Sequence, residues 1–378
     1  MLSKLRRSTL VATLVGAMVL SGGLLSPASA DYADRPESSW VPNGTVFAMT
    51  QVGDRVYLGG GFTSLRNPVT GARVQRASLA AVDATTGEPV ADWNPGANGR
   101  VRALAVGPDG TVYAGGDFTE AAGGPASKLI AITPDGQRVA GWDASVTRVV
   151  RDIWATDTAL YIGGALGRVN GSARPGVARL DPDTGALDKS FNAQVQGGKV
   201  NAILPSPDGD TLLLGGAFQA IGGVPRLYVG SVSLATGAVS SWAPDGLCSC
   251  GVLDLAADDN NAYAAVGGGG GRVSTFALSS GARLWVKRAD GDVQTVAVHD
   301  GRVYAGGHYG PTFDGAVRHE LAVMNASNGA LQGYSLAFTG DDHPGIWAVL
   351  VDDSMLRIGG GFRLANSPIM KYAAFSVL

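Results

Sequence analysis

Cysteine, histidine and charge are all scarce in this chain. Its only two cysteines stand together as Cys248-Ser249-Cys250, a pair that offers fewer ligands than a metal site needs. In an exported protein such a pair is expected to close a small-loop disulfide. Charged residues make up 16% of the chain and the net charge is −3 with pI near 5.8, which argues against a general nucleic-acid role, because that role needs a basic field. No Gly-Lys-Ser/Thr phosphate loop and no Gly-x-Ser-x-Gly elbow occurs. The acidic turn Asp258-Asp259-Asn260-Asn261 lacks the rest of an EF-type calcium loop. Beyond the first thirty residues there is no apolar run long enough to span a membrane.

Those first thirty residues are a different matter. Lys4, Arg6 and Arg7 precede an apolar stretch from Leu10 to Leu25 and an Ala28-Ser29-Ala30 cleavage pattern. The segment 1–30 therefore reads as a secretory signal peptide, and the mature chain 31–378 is expected to be secreted and extracellular.

Glycine is abundant, at 56 of 378 residues, and it recurs in a fixed phrase. "VYLGGGF" at Val56 to Phe62 returns as "VYAGGDF", "LYIGGAL", "LLLGGAF", "VYAGGHY" and "LRIGGGF", with a degenerate copy "AYAAVGG" at Ala262 to Gly268. The second residues of these phrases are Tyr57, Tyr113, Tyr161, Leu213, Tyr263, Tyr304 and Arg357. Seven copies at a period in the forties to fifties, built from short strands, predict an all-β fold of the seven-bladed β-propeller class as a single domain over 31–378. Within one repeat, "VRALAVGPDGTVYAGGDF" gives an inner strand, a Pro-Asp-Gly turn and a second strand, and "KLIAITPDGQRVAGW" gives a third and an outer strand ending at Trp142. The glycine pair reads as scaffold: sheets converging on an axis need backbones that approach closely.

The last repeat stops after its third strand. "SSWVPNGTVFAMT", from Ser38, parallels "ADWNPGANGRVRALA", so the N-terminal strand carrying Trp40 is expected to complete the seventh blade and remove its open edge. The glycine phrase, "LAAVDATTG" and the W-x-P element together resemble the secreted delta-60-type repeat propellers of actinobacteria, and more distantly kelch and galactose-oxidase-like propellers. That resemblance covers Ser38 to Leu378 and implies fold and an extracellular setting; it implies no common activity. A galactose-oxidase-like copper site has no matching Tyr, Cys and His set here.

Candidate site residues come from comparing repeats. The hairpins after the inner and third strands are tight, so recognition is expected on the face bearing the longer loops. On each inner strand one position varies in chemistry, namely Phe47, Arg102, Arg151, Asn201, Leu253, Gln294 and Trp347, between neighbours expected to stay small or aliphatic. Of these, Phe47 and Trp347 would stack on a flat group or sugar, and Arg102, Arg151, Asn201 and Gln294 would make polar contacts. A second ring, Arg76, Arg174, Arg226, Arg318 and Lys371 with Lys128 and Arg272 displaced by two, is expected to be structural, with an anion-binding crown as the alternative. His308, His319 and His343 map to the loop-rich ends of blades six and seven near Asp341, Asp342 and Glu320, so His308, His319, Asp342 and His343 are a candidate divalent-metal set, although no spacing matches an established motif.

The expectation is thus a monomeric, secreted binding module for an extracellular glycan, cell-wall material or a secreted protein, with no obligatory cofactor and no nucleic-acid partner. The alternatives are a metal-assisted lyase or hydrolase acting over the channel, and a structural part of a secreted assembly.

Overall fold

A computed structural model describes residues 31–244, 250–268, 270–339 and 345–378. The proposed signal peptide, Cys248 and the His343 and Asp342 pair lie outside the described residues. Among the described residues there is no helix.

Seven sheets share one plan, in which each inner strand is paired antiparallel to a middle strand and that to a third. The first is Val46–Val52, Arg55–Gly60 and Leu79–Asp83, and the last is Ile346–Val351, Met355–Arg363 and Met370–Ser376. The middle strands are buried on both faces, which is why they are runs of β-branched, aromatic and small residues with no polar alternation. Smaller ribbons such as Glu120–Ala121 with Gly124–Pro125 form the loop-side excursions.

The expected fourth strand is much reduced. In most sheets it contributes one bridge, as in Val82 with Pro89, Leu180 with Leu187 and Met324 with Leu331. Among the described residues, only the fifth sheet has a full fourth strand, Arg283–Arg288. At the last sheet this edge comes from the N-terminal segment. Tyr32 bridges Val377, the Ala33 amide donates to the Ser376 carbonyl at 2.8 Å, and the Glu37 amide donates to the Ala374 carbonyl at 2.8 Å.

Apolar clusters lie between consecutive sheets. One joins Tyr57 and Leu79 to Val101 and Val112, the next joins Tyr113 and Leu129 to Val150 and Ile162, and another joins Tyr372 and Ala348 of the last sheet to Val46 and Leu58 of the first. Tryptophans at the ends of the outer edges, such as the fully buried Trp93, pack into the same layers.

The two glycines of the repeated phrase have separate jobs. A Cβ on the first would press into the next sheet's inner strand, 2.5 Å from Val150 Cγ1 at Gly115 and 2.5 Å from Val252 Cγ1 at Gly215. A Cβ on the second would meet the sheet's own inner strand, 2.0 Å from the Arg100 carbonyl oxygen at Gly116. At Gly359 the first-glycine contact is with Val46 and Met49 of the first sheet. The degenerate fifth copy carries Ala265 and Val266 at these two places, and there the middle strand pairs without interruption to Arg272–Ala277.

Candidate binding site

Every inner strand carries a β-bulge at the same place. Pairing passes from Val101 with Gly116 directly to Ala103 with Gly115, from Val150 with Gly164 to Asp152 with Gly163, and from Ile346 with Gly360 to Ala348 with Gly359. The skipped residues are Phe47, Arg102, Arg151, Asn201, Leu253, Gln294 and Trp347. A bulge ejects one residue from the ladder and re-aims its side chain, so one backbone irregularity repeated around the molecule gathers these seven side chains. They line a single cavity of about 230 Å³ between the inner strands.

The ring is chemically uneven. Arg102 forms a fork with Asp117, Nε at 3.1 Å from Oδ1 and Nη2 at 3.0 Å from Oδ2, and its Cζ lies 5.2 Å from the centroid of the Phe47 ring. Phe47 in turn meets Trp347 edge to face at 5.5 Å. Arg151 is partly buried, and its guanidinium is held below the ordinary arginine range by burial first and by the neighbouring Arg102 second. Lys199, at the loop-side start of the adjacent inner strand, is depressed by burial and then by Arg151 and Arg102, which places three cations in one electrostatic neighbourhood.

Four buried polar atoms of the ring have no hydrogen-bond partner in the protein: Arg151 Nε, Asn201 Oδ1, Gln294 Oε1 and Trp347 Nε1. Asn201 lines the cavity and uses its amide nitrogen to donate to the Val252 carbonyl at 2.7 Å, while its Oδ1 accepts no bond from the protein. Asn201 and Gln294 are only 9% and 8% exposed. A buried polar group without a partner costs about 1–3 kcal/mol, a cost that a hydrogen-bonding partner would relieve.

Beneath the ring lies a tier that repeat comparison missed. The residue after each bulged one was expected to be small or aliphatic, as Ala48, Ala103, Ala202 and Ala348 are, but Asp152, Asp254 and Thr295 occupy three of these places. Asp152 accepts from the Ile153 amide at 2.8 Å and, across to the next inner strand, from the Ile203 amide at 2.7 Å. Asp254 does the same with the Leu255 and Val296 amides and also accepts from Thr295 Oγ1 at 2.8 Å. Both residues keep some surface toward the cavity while their carboxyls lie deep. Burial drives the Asp152 carboxyl up to about 7 against those amide bonds, with a further push from Asp254, and burial raises Asp254 as well. The signal was legible: two acids and a threonine follow the bulge where the other four strands continue with alanine.

The second basic ring is structural. Arg76, Arg174, Arg226 and Arg318 each donate to the preceding residue's carbonyl and reach across to carbonyls of their own sheet's outer edge, Val90, Lys189, Ser240 and Gln332. Lys371 does not share that position. With φ 68° it matches Lys128 at φ 71°, and both ammonium groups donate to the carbonyl of the residue after the glycine pair, Gly361 and Asp117.

Of the candidate metal set, His308 and His319 lie at the loop-side end of the sixth sheet, near the cis-linked Gly310-Pro311, while Asp342 and His343 lie outside the described residues. Among the described residues no group of three or more histidine, cysteine or acidic side chains is arranged to hold a metal ion. Glu320, next to His319, is buried and driven up to about 7 by burial, partly offset by Lys371. The disulfide expected between Cys248 and Cys250 likewise has one member outside the described residues.

The family model described as "Domain of unknown function (DUF5122) beta-propeller" matches residues 107–138 and 160–191. The chain is a β-propeller. No curated protein matches it. Among solved structures it is similar to the computationally designed Ika8 protein, at 15% identity and TM-score 0.55, covering 90% of this chain and all of that one. It is also similar to the WD40 propeller domain of Doa1, at 13% identity and TM-score 0.56, covering 90% and 96%. At such identities the likeness concerns architecture alone. A propeller fold suggests a binding or scaffold module.

Proposed function

We propose that the protein is an exported, monomeric seven-bladed propeller that binds a carbohydrate ligand in the cavity framed by its bulged residues. In this reading each of the seven sheets is a blade, and the segment Asp31 to Trp40 supplies the missing outer edge of the seventh, closing the ring. The observation that carries the function is the ring itself: an aromatic pair, Phe47 and Trp347, beside four buried polar atoms that the protein leaves without partners. Sugars present both apolar faces and many hydroxyls, so a site of this kind needs aromatic surface and fixed donors and acceptors together. The alternating inner strands hold these groups rigidly, and binding requires no chemical step.

The test is the shift in melting temperature of residues 31–378 against neutral and acidic glycans and cell-wall fragments, with a chelator control. A rise with a glycan that survives chelation and disappears in Trp347→Ala supports the reading. Stabilisation by a divalent ion alone, abolished by the chelator, would replace it with the metal-site alternative.

A further inference from the structure

The ring's charge is distributed in an arc rather than evenly. Three consecutive sheets contribute Arg102 and Arg151 at bulged positions and Arg100, Arg148 and Lys199 just before the inner strands. Against these five cations, Asp117 forms an ion pair with Arg102. Asp152 and Asp254 also line the cavity, but their oxygens are bonded to backbone amides and Thr295 rather than to these cations. Across the cavity stand Gln294, Trp347 and Phe47, which carry no charge.

Each unpartnered group sets a requirement on the ligand. Arg151, beside an arginine already committed to a carboxylate, calls for an anion; its planar fork favours a carboxylate or sulfate over a diffuse charge. Asn201 Oδ1 and Gln294 Oε1, on the adjacent sheet and on the one after next but one from Arg151, call for hydroxyl donors. Trp347 Nε1 calls for an acceptor and its ring for an apolar face. A volume of about 230 Å³ lies below the roughly 300–1,000 Å³ of drug-sized pockets, which suits one sugar ring rather than a chain segment.

We infer that the cavity takes a single carboxylated sugar, a hexuronate standing free or at the end of an acidic glycan, with its carboxylate on Arg151 and its hydroxyls on Asn201 and Gln294. This deepens the carbohydrate reading and rests on it. Lys199, depressed first by burial and then by Arg151 and Arg102, stands in the same positive field, which an incoming anion relieves.

The experiment is calorimetric titration of residues 31–378 with sodium glucuronate, sodium galacturonate, glucose, galactose and sodium acetate, at low and at high salt. A uronate is expected to bind at least tenfold more tightly than its neutral counterpart and than acetate, with affinity falling as salt rises. Arg151→Ala should remove that preference, Arg151→Lys should restore only part of it, and Gln294→Leu should weaken uronate binding with acetate unchanged; an unaltered melting temperature confirms that each variant folds. Equal binding of neutral sugar and uronate, or a preference that survives Arg151→Ala, would overturn the inference and leave the carbohydrate reading standing. Acetate bound as tightly as uronate would overturn it by reducing the site to an anion hole. If no monosaccharide binds while neutral oligosaccharides do, the single-acidic-ring inference fails; if no saccharide of any kind binds, both readings fail.

Discussion

The carboxylate of Asp117 grips the guanidinium of Arg102 in a fork, with contacts of 3.0 to 3.2 Å. Asp117 is the residue between the glycine pair and the aromatic of the second repeat, and the same phrase position holds Gly61, Ala165, Ala217, His308 and Gly361 elsewhere. The acid at that place pairs with the bulged residue of its own sheet, whose guanidinium also lies over the Phe47 ring. The pair therefore fixes Arg102 at the rim and leaves Arg151 as the available cation.

Asp117→Ala is accordingly expected to cost little stability, about 1 kcal/mol or less, because the two side chains keep 19% and 31% of their surface exposed and partly exposed pairs are weak. It should instead strengthen the binding of small anions at the cavity, since a second guanidinium is released. Denaturant unfolding and anion titration of the same variant check both halves.

Asp152 makes stability depend on pH in a direction opposite to most carboxylates. Its folded value, about 7, lies above the model-peptide value of 3.8, so between those two values the folded state holds more protons than the unfolded chain. Stability then falls as pH rises through that window. Asp254 and Glu320, also raised by burial, act in the same sense, while Asp83, Asp188, Asp208 and Asp352, all lowered, lose their contribution only below the ordinary carboxylate range. Calorimetry from pH 4.5 to 8 should show a declining melting temperature, and Asp152→Asn should flatten the decline. The same variant should lose about 1–3 kcal/mol at pH 5, because an amide can accept from one of the two backbone N–H groups but presents a donor to the other.

The four outer-edge arginines predict a purely structural phenotype. Arg76 is 7% exposed and donates to the carbonyls of Gln75, Val90 and Ala91. Arg76→Ala leaves those acceptors short of donors in a buried layer and should lower stability by about 1–3 kcal/mol. Arg76→Lys should recover little, since an ammonium cannot span two strands with a fork. Urea midpoints measure the loss, and ligand titration should be unaffected.

Repeat comparison reached the propeller, the scaffold character of the glycine pair and the variable inner-strand position because all three are written once per repeat, while the separate contacts of Gly115 with the next sheet and of Gly116 with its own were not foreseen. Variation among Phe47, Arg151 and Trp347 against a constant frame was visible for the same reason. The bulge that gathers those side chains was not visible, because a skipped residue leaves no mark on alternation when its neighbours are valine and alanine. Side-chain pairings were also hidden: nothing in the spacing of Asp152 announces Ile203 on the next sheet, and the fork of Arg102 with Asp117, within one sheet, depends on a position that is glycine or alanine in five other repeats. The Lys371 register went astray because it was counted back from the turn; the left-handed backbone and the ammonium-to-carbonyl bonds that it shares with Lys128 align the two.

The N-terminal edge offers the sharpest test of how the ring is completed. Tyr32 is 4% exposed, sits edge to face against Tyr304 at 6.2 Å and Tyr334 at 6.4 Å, and its hydroxyl donates to the Asp352 carbonyl at 2.5 Å. It thereby ties the segment before the first sheet to the sixth and seventh sheets at once. Burial, together with the neighbouring Tyr304, holds its phenol far above the ordinary tyrosine range, so the group stays neutral and serves as a donor. Tyr32→Ala should remove the aromatic cluster's centre and cost about 3–5 kcal/mol, as large aromatic deletions do. Tyr32→Phe should lose only the hydroxyl's bond, about 1 kcal/mol. If the edge closes the ring, hydrogen exchange in Tyr32→Ala should quicken first at the Ala33, Glu37 and Leu378 amides, whose bonds join the segment to the end of the chain, and only later in the middle sheets. Uniform acceleration across all sheets would instead mean that the segment is packed onto a ring already complete without it.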